Sequence, residues 1–383
     1  MRDTFFPFFK YDQGTINHIW ENGIIVIDTN ALLNTYKMHK DAREQFFNVL
    51  QYADLNSKLW MPYQIGWEVL KNRREAIDES LEALKSSKEG IKRGMQKLKS
   101  TVNKSGLKYH EEFLNQIQTD LDEFKQNIED SFKGYNEENS IKRSDFYTGN
   151  ELKETDPIID RIDTAFKGKY AEQIDHTELI SHYTQGEFRF SLTMAPGYED
   201  ADKGDYRKFG DFIIWEEMIK KATKCEKPII FVTEDHKKDW WQTDPKTEKK
   251  SPLPELLKEF KGRAKQFFYM YSYKDFVEQA KVRYPDLPDA EMAAKQMNLA
   301  TEEAELKEQN EYIGMPSIYD TAVKEAHYTL QQLYYQDGAK SIAYAEKLDD
   351  IFDKDISKME MGYELLKIID DMKKEISSYE YRN

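Results

Sequence analysis

Three short apolar runs set the frame of the chain. Ile24-Ile25-Val26-Ile27, Ile229-Ile230-Phe231-Val232 and the segment from Gln266 to Tyr271 are continuous in apolar, mostly β-branched or aromatic residues. Such runs predict strands buried on both faces, as in a parallel sheet. Lys58 to Met61 reads as one more short strand. Between them the spacing is helical: Ala42, Phe46, Phe47, Val49 and Leu50 share a face, and Pro62 opens a helix carrying Ile65, Trp67, Val69 and Leu70. Phe212 to Ile219 predicts a strongly apolar helix, and Tyr273 to Val282 a last one after the third strand.

From Ile77 the period lengthens to seven. Ile77, Leu84, Ile91 and Leu98 repeat, with Leu81, Met95 and Val102 interleaved, and Leu114, Leu121, Ile128, Ile117 and Phe124 continue the pattern after a break at Asn103 to Lys108. Two long helices packed antiparallel along these seams are predicted. The first is basic between Lys85 and Lys108 and the second acidic. That asymmetry fits either a nucleic-acid contact or simple pairing across the hairpin.

Residues 1–22 hold many aromatics and are expected to pack on the main domain, although exposed rings could also stack bases. Residues 133–205 are polar and Gly-punctuated, consistent with loops and short helices around a substrate entrance, and His176 and His182 read as surface residues. Beyond Pro285, the segments Ala290–Glu308, Ile318–Tyr335, Ala339–Phe352 and Met359–Ile376 predict a helical bundle for self-association or partner docking. The expected division is a discontinuous α/β domain of residues 1–75 and 195–282, a helical insertion of 76–194 and a helical region of 283–383.

Composition narrows the chemistry. Charged residues make up 33% of the chain, and 56 basic against 71 acidic residues leave a net charge of −15, which argues against nonspecific coating of nucleic acid. It leaves room for a local basic groove. With Cys225 alone, neither an intrachain disulfide nor a cysteine-based zinc site can form. No apolar stretch approaches membrane-spanning length and the N-terminus lacks a signal-peptide core, so a soluble cytoplasmic protein is expected.

The candidate chemistry lies at strand ends. Asp28 closes the first strand and Asp235 follows the second, while Glu68 and Asp211 stand near the starts of helices. Asp28 and Asp211 each have a second reading, as helix caps, and Glu68 could face solvent. In one α/β unit these four acids should converge at the C-terminal edge of the sheet, where such folds keep their chemistry. Carboxylates so close raise one another's pKa, and a stable cluster calls for a divalent cation; hard oxygen donors select Mg²⁺ or Mn²⁺ over zinc.

Ile27-Asp28-Thr29-Asn30, Ile65-Gly66-Trp67-Glu68, Gly210-Asp211-Phe212-Ile213-Ile214-Trp215 and Phe231-Val232-Thr233-Glu234-Asp235 resemble the four acidic motifs of PIN-domain nucleases, and more narrowly a bacterial PIN-like family with a long insertion. The resemblance implies a three-layer, Rossmann-like α/β/α domain with the hairpin inserted and the helical bundle appended. It further implies metal-dependent hydrolysis of phosphodiesters, most often in RNA, with Asp28, Glu68, Asp211 and Asp235 holding one or two Mg²⁺ or Mn²⁺ ions. Asn30 and Thr233 would orient ligands or waters behind them. Arg73, Arg207, Lys208 and Lys237 are candidates to hold substrate phosphates. Glu234, a second acid beside Asp235, is expected to be a neighbour rather than a ligand. A toxin-like or antiphage effector fits by analogy; a structure-specific DNA nuclease and a non-catalytic RNA-binding or assembly scaffold are the alternatives. A haloacid-dehalogenase-like phosphatase would want an Asp where the chain has Asn30.

Overall fold

Parallel pairing of three four-residue strands organises the fold. The computed structural model describes residues 1, 5–104, 109–139, 142–244, 246, 249–301, 325–326, 329–330, 332–333, 336–352 and 358–380. The chain divides into two compact units, residues 1–301 and 302–383.

The first unit begins with α1 (Gln13–Asn22), β1 (Ile24–Ile27), α2 (Thr29–Asn34), α3 (Lys40–Gln51), α4 (Ala53–Asn56) and α5 (Tyr63–Lys104). Then come α6 (Glu111–Asn139), α7 (Arg143–Phe146), the hairpin of β2 (Tyr147–Thr148) and β3 (Glu151–Leu152), α8 (Pro157–Phe166) and α9 (His176–Ser191). The last part is α10 (Gly210–Cys225), β4 (Ile229–Val232), β5 (Trp241–Thr243), β6 (Lys250–Pro252), α11 (Pro254–Ala264), β7 (Phe268–Tyr271) and α12 (Tyr273–Arg283).

The sheet order is β1-β4-β7, parallel throughout, with Ile27 opposite Val232 and Val232 opposite Tyr271. The sheet's period of two builds the layers on β7. Tyr269 and Tyr271 turn to one face, against Tyr11 and Trp20 of the N-terminal segment, while Phe268 turns to the other, against Trp215 of α10 and Phe260 of α11. These are the two helical layers of an α/β/α domain. The N-terminal residues pack here through Phe6, Tyr11, Ile16, Ile19 and Trp20, while Phe5 and Phe8 remain exposed.

Several elements differ from the sequence expectation. Lys58–Met61 makes only two isolated bridges, Ile25 with Leu59 and Met61 with Tyr170, because the segment changes partner after one residue of pairing with each. His182 is buried, not at the surface, with its ring edge-on to Phe212 and its Nε2 3.6 Å from Glu178. The helix over residues 291–301 packs on the first unit, where Ala293 and Met297 join its core.

The hairpin's first helix is not a separate element. α5 runs 42 residues, about 60 Å, from beside the sheet out to Lys104. It pairs antiparallel with α6, as Lys99 with Asp122 at 2.8 Å and Gln118 with Asn103 at 2.7 Å show. The interleaved residues Leu81, Met95 and Val102 are half-buried, whereas Ile91, Leu98 and Phe124 are exposed. Residues 105–108 of the expected break lie outside the described residues. Among the described residues no helix is long and apolar enough to cross a membrane.

In the second unit, helices Gly338–Phe352 and Lys358–Glu380 match the two amphipathic segments and bury Leu348, Ile351, Leu365, Ile369 and Met372 together. Most of Ile318–Tyr335 and the end of Ala290–Glu308 lie outside the described residues.

Trp215 is fully buried, with ring centroids of Trp240, Phe260 and Phe268 at 6.1, 5.4 and 5.0 Å. Trp215→Ala should cost about 3–5 kcal/mol in urea unfolding. Phe124→Ala, on the exposed hairpin face, should stay within about 0.5 kcal/mol.

Candidate active site

Strand pairing brings the first and fourth acidic segments side by side. Asp28 N donates to Val232 O at 2.9 Å, so Asp28 and Thr233 leave the sheet as neighbours. Asp28 both caps α2 and ties the two strand ends together: Oδ1 accepts from Thr29 N at 2.7 Å, and Oδ2 accepts from Thr233 Oγ1 at 2.5 Å. Thr233 in turn accepts from Asp235 N at 2.9 Å. Asn30 bridges the same strand ends, with Nδ2 3.3 Å from Thr233 Oγ1 and Oδ1 accepting from Glu234 N at 3.1 Å. The Glu234 carboxylate is committed elsewhere, to Tyr273 N at 2.6 Å and Thr301 Oγ1 at 2.5 Å, where it ties α12 and residue 301 to the sheet edge.

Two helices deliver the second and third acids. Glu68 lies in the second turn of α5, with Oε2 accepting from Thr29 Oγ1 at 2.9 Å and Oε1 from Gln64 Nε2 at 2.8 Å. The start of α5 is capped from α10, because Glu217 accepts from Tyr63 N at 2.7 Å and Gln64 N at 2.9 Å. Gly210 completes the contact; a Cβ there would run into Glu68 Oε1. Asp211 follows in the first turn of α10, and its Oδ2 is buried without a hydrogen-bond partner.

The cation that faces these acids is Lys237. Its Nζ lies 2.9 Å from Asp200 Oδ1, 3.2 Å from Asp235 Oδ2 and 3.9 Å from Asp211 Oδ2. Asp200 is thus a fifth acid of the cluster, and Lys203 holds its other oxygen at 2.6 Å. The turn carrying Asp200 is fixed by fully buried Asp239, which accepts from Gly197 N at 2.8 Å and Glu199 N at 3.2 Å. Asp200, Asp239 and Lys203 escape a reading of strand ends, since Asp200 closes a single 3-10 turn (Tyr198–Asp200) and the other two sit in loops, with no apolar run to mark them. Their only local signal is the density of acids in Glu199-Asp200-Ala201-Asp202.

The electrostatics follow from burial. Desolvation, opposed by the Thr233 hydroxyl and reinforced by Asp235 and Glu68, raises Asp28 to about 7. Burial also raises Glu68, and lifts Asp211 well above the ordinary carboxylate range despite Lys237. Asp200 shows the opposite outcome: burial pushes it up, but Lys237 and Lys203 outweigh that and hold it low. Burial would likewise lower Lys237, yet Asp211, Asp235 and Asp200 raise it well above an ordinary lysine.

The four predicted acids and Asp200 line one cleft of about 580 Å³. Of the expected phosphate-binding residues, Arg207 lines this cleft, with its Nε 2.9 Å from Asp205. Arg73 does not: it is buried, 3.3 Å from Asp156 Oδ2 and donating to Lys153 O at 2.6 Å, so it pins the start of α8. Lys208 turns to Glu187 at 2.7 Å, outside the cleft lining. Lys237 sits among the acids themselves. Lys37, Lys71 and Lys203, unmarked in the sequence reading, are the other basic residues of the lining.

The donors fit a divalent metal in kind: hard carboxylate oxygens, one of them buried and unpartnered, gathered around a cation position that an ammonium takes. Among the described residues, no three acidic or imidazole groups are drawn together closely enough to hold an ion as they stand.

A three-layer α/β domain with acids at the ends of its parallel strands defines the class of this protein. A family model of the PIN-like domain matches residues 24–256, and the chain belongs to that family. The match runs through α5 and α6, so the long hairpin lies inside the matched region. No curated protein and no solved structure matches the chain. Membership points to a nuclease in general, a class that is generally dependent on divalent metal.

Burial of these acids has a consequence for stability. Asp28 and Glu217 are raised to about 7 and Asp239 to about 6, in each case chiefly by desolvation, so the folded state binds their protons more tightly than the unfolded chain. Their contribution to stability is therefore complete at low pH and lost as pH rises through those values. His182, lowered by burial, opposes this as a single group below its ordinary 6.5. In EDTA the melting temperature should rise as pH falls from about 8 to about 6; a fall across that range would contradict the arrangement. In urea unfolding Lys237→Met should destabilise by about 3 kcal/mol, because it leaves Asp200, Asp211 and Asp235 without the ammonium they share.

Proposed function

We propose that this protein is a cytoplasmic, Mg²⁺- or Mn²⁺-dependent endoribonuclease, with Asp28, Glu68, Asp211 and Asp235 as the residues that hold the metal. The observation that carries this reading is the convergence of four acids, from Asp28 to Asp235, on one cleft whose mouth also carries Lys71, Lys203 and Arg207. When bound, the metal supplies an activated water and stabilises charge on the phosphate.

The chain's own residues do the rest. Asn30 and Thr233 hold Asp28 and the backbone of Asp235 in place through the hydrogen bonds between the strand ends. Lys71, Lys203 and Arg207 draw substrate phosphates to the mouth of an otherwise acidic cleft. Lys237 offsets part of the negative charge of Asp200, Asp211 and Asp235, and Asp211 and Asp235 are among the residues that would hold the metal. The α5–α6 arm projects from the helix that carries Glu68, and this favours as a second reading a structure-specific DNA nuclease that clamps a duplex against the arm. Self-association or docking of a protein partner is assigned to the C-terminal helical region of residues 283–383, which includes the helices Gly338–Phe352 and Lys358–Glu380.

The test is cleavage of end-labelled RNA and DNA, with Mn²⁺ or with EDTA. Wild type should cut RNA only with metal, and Asp28→Asn should not cut; Asn30→Ala should lose about 10- to 100-fold in metal affinity or rate. Full activity in Asp28→Asn would overturn the assignment, and cutting of DNA alone would favour the second reading. If the protein is a toxin-like or antiphage effector, expression of wild type, and not of Asp28→Asn, should arrest growth.

A further inference from the structure

The acid cleft shares a wall with an apolar groove, and that wall is Trp67. The chain has six tryptophans; five are at most 7% exposed, whereas Trp67 is 50% exposed, one residue before Glu68. Tyr63, one turn earlier, stacks on it, with ring centroids 6.3 Å apart and planes at 28°. Trp67 lines both the cleft and a second groove of about 540 Å³, bordered by Pro62, Leu70, Ile162 and Tyr170. Leu70 and Tyr170 are also exposed, at 57% and 45%.

Charge divides sharply across this wall. On the cleft side lie Lys71, Lys203 and Arg207, while Asp163 is the one charged residue bordering the groove, and it accepts from Tyr170 Oη at 2.8 Å. A phosphate has partners on the first side and none on the second. A flat apolar ring has the reverse.

We propose that Trp67, backed by Tyr63, is a stacking platform for one unpaired nucleobase of the strand whose phosphate lies at the acids, which makes the substrate single-stranded. The proposal rests on the nuclease reading above and deepens it. Every base offers a π-face to an indole, so such a platform tolerates any sequence. In a duplex those faces are stacked on their neighbours and paired, and the indole meets only backbone. Continuity with the cleft and the basic residues beside it favour a nucleotide over an apolar peptide as the occupant.

The experiment uses the full chain carrying Asp28→Asn, with Mg²⁺ present, so that binding is read apart from cutting. Affinity is measured by anisotropy for a labelled single-stranded RNA and for the same strand annealed to its complement, in this background and with Trp67→Ala or Trp67→Phe added. Trp67→Ala should weaken single-strand binding by about 5- to 150-fold, the contribution of one stacked base, and leave duplex binding unchanged. Trp67→Phe should retain most of the affinity. Tryptophan emission should be quenched by the single strand, and that quenching should vanish in Trp67→Phe. Since Trp67 lies at the surface, an unchanged melting temperature confirms that the variants fold.

Equal losses for single strand and duplex, or no loss for either, would overturn the platform while the nuclease reading stands on its cleavage result. A change confined to oligomeric state would also overturn it and make the groove a protein contact. Failure of the wild type to bind or cut any nucleic acid would instead sink the nuclease reading, and the platform with it.

Discussion

Carboxylates at the C-terminal edge of the sheet repel one another, and much of the surrounding structure serves to hold them together. Two strand ends bring Asp28 and Asp235 together, and no local interaction there would choose that arrangement on its own. The ammonium of Lys237, within 4 Å of Asp200, Asp211 and Asp235, offsets part of the repulsion. Hydrogen bonds from Thr29, Gln64 and Thr233 offset another part, and each comes from an element that already has a reason to be there. Burial adds a cost of its own, chiefly by desolvation, and it shows as raised proton affinity at Asp28, Glu68 and Asp211.

The helix pair α5 and α10 gives this arrangement its rigidity. Glu217 caps α5, and Gly210 lets the start of α10 sit against the Glu68 carboxylate, which a Cβ there would displace. One helix therefore serves three purposes along its length. Its first turns present Trp67 and Glu68, its middle packs on the core through Ile77, and its outer half forms the arm with α6. An arm continuous with the acid-bearing helix shares its axis with the site.

Much of this was legible in the sequence, because runs of β-branched residues and the acids that follow them are local signals. The strands at residues 24–27, 229–232 and 268–271 announce themselves as continuous apolar runs, and the long hairpin and the two C-terminal helices by their period. What the sequence hid depends on the return of a loop to the sheet. Asp200 reaches the cluster because Asp239, thirty-nine residues on, holds its turn, and no spacing rule links those two positions. Arg73 shows the converse. It follows Glu68 by five residues and reads as a cleft residue, yet it faces the buried cap of α8. His182 escapes a local reading for a related reason: it packs against Phe212 of α10, which a local window does not see.

Calorimetric titration of the protein with Mn²⁺, beside the Asp211→Asn variant, shows whether these acids form a divalent-cation site. Asp211 is the choice because its buried Oδ2 has no other hydrogen-bond partner to lose. The wild type should bind Mn²⁺ saturably, and the variant about tenfold or more weakly. Equal binding by both, or none by the wild type, would contradict such a site.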